Sequence, residues 1–124
     1  MANSARGLER LIKAFGYSMK GFAAGWRHEE AFRQEVLLCA TLLPLTFWIG
    51  RGPLDYLLLV TTLVLLLVTE LFNSAIEALT DRVGVEHHEL SGRAKDLASA
   101  AVFLALVLVA VVWATVAWLR FAPA

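Results

Sequence analysis

LASAAVFLALVLVAVVWATVAWL, residues 97–119, contains no charged side chain and decides the fold class. As a helix that rises ~1.5 Å per residue, this run is long enough to cross a hydrocarbon core of ~30 Å. Two further uncharged runs, residues 36–50 and 56–69, are shorter than the ~20 residues that a crossing needs. They reach that length only if each helix extends into its charged flank, which places Glu70 within the membrane. The sequence therefore predicts an integral membrane protein.

The remaining sequence fits one helical membrane domain. The chain has 124 residues, of which 59% are hydrophobic and 18% are charged, so it is at most a single domain and more apolar than a typical soluble one. No segment alternates with the period of two that is typical of strands. We predict an all-α integral membrane fold over residues 1–124. An N-terminal amphipathic surface helix and three transmembrane helices are expected at about 6–27, 30–50, 55–82 and 91–120.

The basic residues predict the topology. Six of the eleven Lys and Arg residues precede the first uncharged run, and three more lie between the second and third uncharged runs. Only Arg51 and Arg120 fall at the opposite ends. Because cytoplasmic segments are enriched in Lys and Arg, the N-terminus and the 81–96 loop are expected in the cytoplasm. The asymmetry is explained by topology, and no nucleic-acid partner is expected.

Several single residues carry local predictions. The second span is expected to end at Gly84, and Ser91 is a plausible N-cap for the third. Cys39 lies in an apolar run and is interpreted as a small packing residue. Four aromatic residues near the external ends are expected to act as interfacial anchors: Trp48, Tyr56, Trp113 and Trp118.

Residues 8–26, LERLIKAFGYSMKGFAAGW, have the pattern of an interfacial helix. Large apolar residues recur at i, i+3, i+4 and i+7, and basic residues occupy the opposite face. Such a helix lies along a membrane surface. The alternative is a helix packed on a soluble core, but this chain offers no soluble core to receive it.

Residues 69–82, TELFNSAIEALTDR, carry the polar side chains that most strongly indicate a function. Five of them fall at i, i+3, i+4, i+7 and i+11 and therefore share one helix face: Glu70, Asn73, Ser74, Glu77 and Asp81. A carboxylate at membrane depth costs roughly 2.5–3.5 kcal/mol and usually marks function. The alternative is that the stripe joins helices in an oligomer. Function is favoured, because stacked carboxylates repel one another unless a proton or cation lies between them.

Other charged groups near the cytoplasm allow more than one interpretation. Glu77 is shallow enough to stay ionised and hold a hard cation, and Glu29 or Glu30 is a candidate second ligand or simply a solvated helix end. Arg93 and Lys95 form either a phosphate-attracting cluster or ordinary cytoplasmic charge. The sequence contains neither a GxxxxGK[ST] loop nor a protein-kinase signature, so any nucleotide chemistry would use neither cradle.

Four strings resemble one known family. They are RLIKAFGYSMKG (10–21), EEAFRQE (29–35), ELFNSAIEALTDR (70–82) and HELSGRAKDLASAAV (88–102). Together they are similar to the bacterial membrane-integral diacylglycerol kinases, over essentially the whole chain. Undecaprenol kinase, a close relative, shares the core of the last two strings, while the N-terminal string and the paired tryptophans look more like the diacylglycerol branch.

The resemblance implies a homotrimer in the bacterial inner membrane, with active sites shared between subunits. It implies transfer of the ATP γ-phosphate to the free hydroxyl of diacylglycerol, giving phosphatidic acid. By motif, Glu70 is similar to the general base and Asn73 to a residue that orients the site. Glu29 and Glu77 resemble the Mg²⁺ ligands.

The resemblance also implies two sets of binding residues. The ATP set is Arg10, Tyr17, Glu29, Glu77, Glu86, His87, His88, Lys95 and Asp96, with His87 where the family pattern has Tyr. The lipid set is Arg10, Ala14, Ala31, Phe32, Arg33, Gln34, Glu35, Trp48, Glu70, Ser99, Trp113 and Trp118.

Three other functions compete with this interpretation. Undecaprenol kinase would perform the same chemistry on an isoprenoid alcohol. A small oligomeric transporter or channel would use Glu70 as a proton or cation site and consume no ATP. A purely structural membrane oligomer would tolerate neutralisation of Glu70 and Glu77.

Overall fold

The chain forms four α-helices in a computed structural model that describes residues 2–84 and 88–123. They are α1 (Ala2–His28), α2 (Glu30–Ile49), α3 (Pro53–Val83) and α4 (Glu89–Phe121). No strand occurs within those two ranges. The last three helices are long and apolar enough to cross a membrane. The all-α fold with three candidate spans is therefore as predicted from the sequence.

The core lies where α3 packs against α4 and, less extensively, against α2. Leu59 and Leu66 on α3 are fully buried. They belong to a cluster that also includes Cys39 on α2 and Val109 on α4. Cys39 is buried, with its Sγ 3.8 Å from the carbonyl oxygen of Leu63, which agrees with its predicted packing role. Since α3 contacts both other spans, it is the central helix of the bundle.

Trp113 corrects one prediction. The sequence placed it with the interfacial anchors, but its side chain is buried. Its indole Nε1 donates to the Thr62 hydroxyl oxygen at 3.1 Å, and Thr62 in turn donates to the Leu59 carbonyl at 2.7 Å. A buried indole N–H needs an acceptor, and Thr62 provides one across the α3–α4 contact. Trp113 is thus a core residue, whereas Trp48 and Trp118 are exposed.

The helices α2 and α3 run antiparallel in a constant register. At one end the ring of Phe47 lies 5.4 Å from that of Tyr56, and further along Cys39 meets Leu63. The turn between them is fixed by the Arg51 backbone N–H, which donates to an Asp55 carboxylate oxygen at 3.0 Å. Continued toward the other end, this register brings residue 35 of α2 opposite residues 67 and 68 of α3, within one helical turn of residue 70.

The corner between α1 and α2 is held by backbone and side-chain contacts. Glu29 has extended backbone angles (φ −116°, ψ 107°) that separate the two helices. The Arg33 guanidinium donates to the carbonyl oxygens of Trp26 at 2.8 Å and Arg27 at 3.3 Å, which satisfies groups that a helix end leaves free. A Cβ on Gly25 would lie 2.9 Å from the Phe32 ring, so the close approach of α2 requires glycine there.

Helix α4 begins earlier than predicted. His88, not Ser91, is its N-cap, and His88 Nδ1 accepts from the Leu90 backbone N–H at 3.1 Å. Because this acceptor satisfies a free N–H of the first turn, the helix starts at Glu89 and Ser91 lies inside it. At the other side of the loop, α3 ends before Gly84 as expected.

Candidate active site

The polar side chains of α3 become less buried toward its end. Glu70 is only 3% exposed, and Asn73 and Ser74 are also buried. Glu77 is half-buried and Asp81 is exposed. The helix thus carries its carboxylates from the interior of the bundle outward along one face, in the order that the sequence predicted.

Two hydrogen bonds link neighbours along this face. The Ser74 hydroxyl donates to Glu70 Oε1 at 3.4 Å, and the Asn73 amide Nδ2 donates to Glu77 Oε1 at 3.3 Å. The Asn73 carbonyl oxygen is buried and finds no hydrogen-bond partner in the part of the chain that the structure describes. Buried polar atoms are rarely left unpaired in native proteins, so this oxygen is available to a ligand.

Glu35 on α2 lies opposite Glu70. Their carboxyl groups are close enough to form a hydrogen bond with each other. Glu35 is half-buried, and its Oε2 atom is buried without a partner among residues 2–84 and 88–123. The sequence placed Glu35 in the lipid-binding set but did not anticipate this pairing.

A cleft of about 560 Å³ adjoins this face. Its walls come from the second half of α1, the α1–α2 corner and α3, with Gly21, Phe22, Glu29, Leu71 and Ser74 among the lining residues. The lining is mostly apolar, with a carboxylate at the corner and a hydroxyl on α3. Such a cleft suits an amphiphilic molecule, and it brings Glu29 to the face of α3 that carries Ser74.

An ion pair joins the end of α3 to the first turns of α4. Lys95 Nζ contacts an Asp81 carboxylate oxygen; the Asp81 side chain is exposed and the Lys95 side chain is partly exposed. Nearby on α4, Arg93 lies 3.5 Å from Glu89. Two residues of the expected ATP set, Glu86 and His87, lie outside the described residues.

Several predicted site residues lie away from Glu70 in the structure of the single chain. Trp48 packs on Phe121, with ring centroids 5.3 Å apart, at the far end of α2. Thirteen residues separate it from Glu35, or about 20 Å along a helix. Other members are exposed on separate surfaces: Arg10, Ala14 and Tyr17 on α1, Ala31 and Gln34 on α2, and Asp96, Ser99 and Trp118 on α4. Phe32 and Arg33, as described above, build the α1–α2 corner.

Comparison with known proteins identifies the family. The sequence profile of prokaryotic diacylglycerol kinase matches residues 16–117. The chain belongs to the prokaryotic diacylglycerol kinase family. It is 44% identical to diacylglycerol kinase of Escherichia coli K12 over 121 residues, covering 98% of this chain and 99% of that protein. It is 48% identical to diacylglycerol kinase of Pseudomonas aeruginosa over 110 residues, covering 89% of each.

Because the chain belongs to a kinase family, its candidate carboxylates must be compared with the ligand set that Mg²⁺ requires. No group of three or more His, Cys, Asp or Glu side chains that could hold a metal ion occurs in the described ranges. Enzymes that act on ATP usually hold Mg²⁺ with one or two carboxylates plus phosphate oxygens and water. Glu77, which is half-buried and accepts a hydrogen bond from Asn73, and Glu29 at the cleft fit such a sparse set.

Sequence reasoning missed two contributors in this family member. Ser74 was placed on the shared face but was given no site role, although it donates to Glu70. Glu35 was not recognised as the partner of Glu70. A signal for Glu35 does exist, since Glu35, Cys39, Leu42 and Thr46 follow helical spacing and Cys39 and Thr46 are buried. This stripe marks the face of α2 that meets α3.

Proposed function

We propose that the chain is an ATP-dependent diacylglycerol kinase that transfers the γ-phosphate of ATP to the free hydroxyl of 1,2-diacylglycerol and forms phosphatidic acid. One observation carries this proposal: a buried carboxylate, Glu70, stands beside a cleft suited to an amphiphile in a member of the prokaryotic diacylglycerol kinase family. The two relatives compared above are named for this activity and match the chain over most of its length.

Glu70 is the proposed general base. As the lipid oxygen forms its bond to the γ-phosphorus, the bond from that phosphorus to ADP breaks, and the hydroxyl proton moves to Glu70. Phosphoryl transfer depends mainly on positioning and electrostatic stabilisation. Ser74 contributes to positioning, because its hydroxyl donates to one oxygen of the Glu70 carboxylate.

Asn73 is the proposed orienting residue. Its amide nitrogen holds Glu77, while its unpaired carbonyl oxygen is an acceptor within the same buried region. This oxygen is suited to accept a hydrogen bond from the substrate, since it has no competing partner among the residues described. Asn73 therefore links the proposed base end of the α3 face to the proposed metal end.

Glu29 and Glu77 are the proposed ligands of Mg²⁺. When bound, the ion would neutralise charge on the transferred phosphate. Glu77 is less buried than Glu70 and lies two helical turns away, about 10 Å along the axis. This separation allows phosphate and metal near Glu77 while the lipid hydroxyl meets Glu70.

The nucleotide is proposed to bind at the cytoplasmic ends of α3 and α4 and on α1. Lys95 contributes a cation at the start of α4, where it contacts Asp81. His88 and Asp96 lie on the same end of that helix, and Glu86 and His87 lie in the preceding segment of the sequence. Arg10 and Tyr17 on α1 complete the set that the family resemblance implies, together with Glu29 and Glu77.

The lipid is proposed to lie with its head group in the cleft and its acyl chains along the spans. The cleft lining combines apolar side chains with Ser74 and Glu29, which matches the glycerol end of diacylglycerol. Trp48 and Trp118 are exposed about 20 Å further along the bundle and are placed to contact acyl chains. Trp113 is buried, so its contribution to that surface is indirect.

We further propose that the enzyme is a homotrimer in the bacterial inner membrane, with the N-terminus and the 81–96 loop in the cytoplasm. The concentration of basic residues before residue 36 and over residues 81–96 supports this topology. Many large apolar side chains of the spans are exposed in the single chain, which leaves surface for neighbouring subunits and lipid. The cleft beside α3 is open in the single chain, as a site shared with a neighbour would be.

The proposal is tested by offering both candidate lipids to one enzyme preparation. Purified protein in mixed micelles receives labelled ATP, Mg²⁺, diacylglycerol and undecaprenol, and the labelled lipids are separated. We expect labelled phosphatidic acid as the main product. A preference for undecaprenyl phosphate would replace the proposed substrate with the isoprenoid alcohol. ATP left unconsumed, together with ion flux in vesicles, would contradict a kinase function altogether.

A further inference from the structure

Glu35 is the one carboxyl group that faces the proposed base from another helix within the described chain. The α2–α3 register, fixed by the Phe47–Tyr56 ring contact and the Cys39–Leu63 contact, brings Glu35 within one helical turn of Glu70. Their carboxyl groups lie within hydrogen-bonding reach. Their closeness therefore follows from the packing of the two helices together with the reach of the two side chains.

Two carboxyl groups this close in a buried site do not both ionise, because like charges at short range repel strongly in a low-dielectric environment. One proton must be shared between them. The surrounding donors decide which group holds it. Glu70 accepts a hydrogen bond from Ser74, and donors stabilise the ionised form. Glu35 Oε2 is buried with no donor in the described ranges, so the neutral form suits Glu35.

We propose that Glu35 is a positioning residue that carries the shared proton and donates it as a hydrogen bond to the Glu70 carboxylate. This inference rests on the proposed function, in which Glu70 is the base. The bond keeps Glu70 ionised and fixes its orientation toward the lipid hydroxyl. Glu35 therefore acts through Glu70 and not on the lipid or on a metal ion.

The pairing explains how a carboxylate functions as a base at this depth. With Glu35 neutral, the pair carries a single negative charge, on Glu70. Two donors from different helices, Glu35 and Ser74, stabilise this charge by hydrogen bonds to the Glu70 carboxylate. When Glu70 accepts the lipid proton, the pair becomes neutral, and one proton then leaves to water after the product departs. No other acid or base is needed for the step, because the pair takes up one proton from the lipid and later releases one to water.

The role predicts different outcomes for two substitutions at the same position. Glu35→Gln keeps the shape and supplies an amide N–H donor in place of the carboxyl proton. Glu35→Leu keeps a similar volume but supplies no donor. We expect kcat of E35Q to remain within about threefold of wild type and kcat of E35L to fall about tenfold or more, as for loss of a hydrogen bond to a charged group. The KM for diacylglycerol should change little in either.

Glu30→Leu is the matched control. Glu30 lies on the same helix but is exposed, and the proposed site uses Glu29 and not Glu30 as a Mg²⁺ ligand, so the turnover of this variant should equal wild type. Size-exclusion chromatography and thermal unfolding of every variant show whether the assembly is retained. If wild type itself makes no phosphatidic acid, the proposed function fails. If wild type is active but the Glu35 variants behave otherwise, only this inference fails.

Each other outcome overturns the inference in a recognisable way. Equal loss in E35Q and E35L would mean that Glu35 must be ionised. Equal retention would mean that it has no role in the reaction. A rise in KM for diacylglycerol with kcat unchanged would mean a lipid contact.

Infrared spectroscopy of the resting enzyme gives a readout that does not depend on turnover. The wild-type spectrum should contain a protonated-carboxyl band that is missing from E35Q and retained in Glu30→Gln. An unchanged band in E35Q would place the proton elsewhere and contradict the assignment.

Discussion

Two parts of α3 bury polar groups in different ways. Around Thr62, the buried polar side chains have hydrogen-bond partners. Trp113 donates to the Thr62 hydroxyl oxygen, and that hydroxyl donates to the Leu59 carbonyl. Around Glu70 the polar groups are just as buried, but they are left incomplete. The Asn73 carbonyl oxygen and Glu35 Oε2 are unpaired among the residues that the structure describes.

The difference separates stability from function on a single helix. A satisfied buried polar contact contributes to the packing of α3 on α4. A buried polar group without a hydrogen-bond partner costs folding free energy and is expected where a bound ligand supplies the missing partner. Ser74, which donates to Glu70, also lines an open cleft, and this observation points the same way. Substitutions in the two regions should therefore affect different measurements.

Apart from the loss of Glu70 itself, the largest expected effect comes from the incomplete region. Asn73→Leu removes the donor to Glu77 and the unpaired acceptor, so we expect kcat to fall by about 100-fold, in the range typical of lost transition-state contacts. Thermal unfolding should change little or shift upward, because a buried unpaired oxygen is also removed. A variant that loses stability and keeps its turnover would reverse the distinction between the two regions.

A smaller effect, on stability, is expected from the satisfied region. Thr62→Val leaves the Trp113 N–H buried and unpaired, which should destabilise the fold by about 1–3 kcal/mol. Trp113→Phe removes the donor as well as part of the ring, and the double variant should show coupling of about 1 kcal/mol. Unfolding in micelles measures both. Turnover at low temperature should stay near wild type, and a selective rise in KM for lipid would instead make Trp113 part of the lipid surface.

The smallest effect is expected from an exposed polar contact. Asp81→Asn weakens the ion pair with Lys95, but exposed pairs contribute little to stability. The thermal midpoint should not change measurably, and turnover should remain close to wild type. If the midpoint drops clearly, this pair holds α3 to α4 more firmly than its exposure indicates.

The fold could be predicted largely because its signals are local. Hydropathy locates the spans, and helical spacing alone places Glu70, Asn73 and Glu77 on one face. The end of α3 before Gly84 also follows from a local signal. The start of α4 was misplaced, because His88 and Ser91 can both cap a helix and only the structure shows which one accepts the Leu90 N–H.

The site could be predicted only in part, because its remaining contacts depend on packing between helices. The sequence contains both Glu35 and Glu70, but whether their side chains come together depends on how α2 packs against α3. Trp113 likewise resembled an interfacial anchor in the sequence. Its hydrogen bond to Thr62 shows that its side chain faces α3. The identity of the chemistry came from resemblance to a family, and the profile match over residues 16–117 confirms that family.

We propose that Glu70 is buried for catalysis and not for stability. The most direct measurement compares turnover and thermal unfolding of wild type, Glu70→Gln and the exposed-site control Glu30→Gln in one preparation. We predict that E70Q loses about 10²–10⁴-fold in kcat, as for removal of a general base, while its thermal midpoint is unchanged or higher and E30Q matches wild type. Near wild-type turnover in E70Q, or an assembly that unfolds without the carboxylate, would contradict the claim.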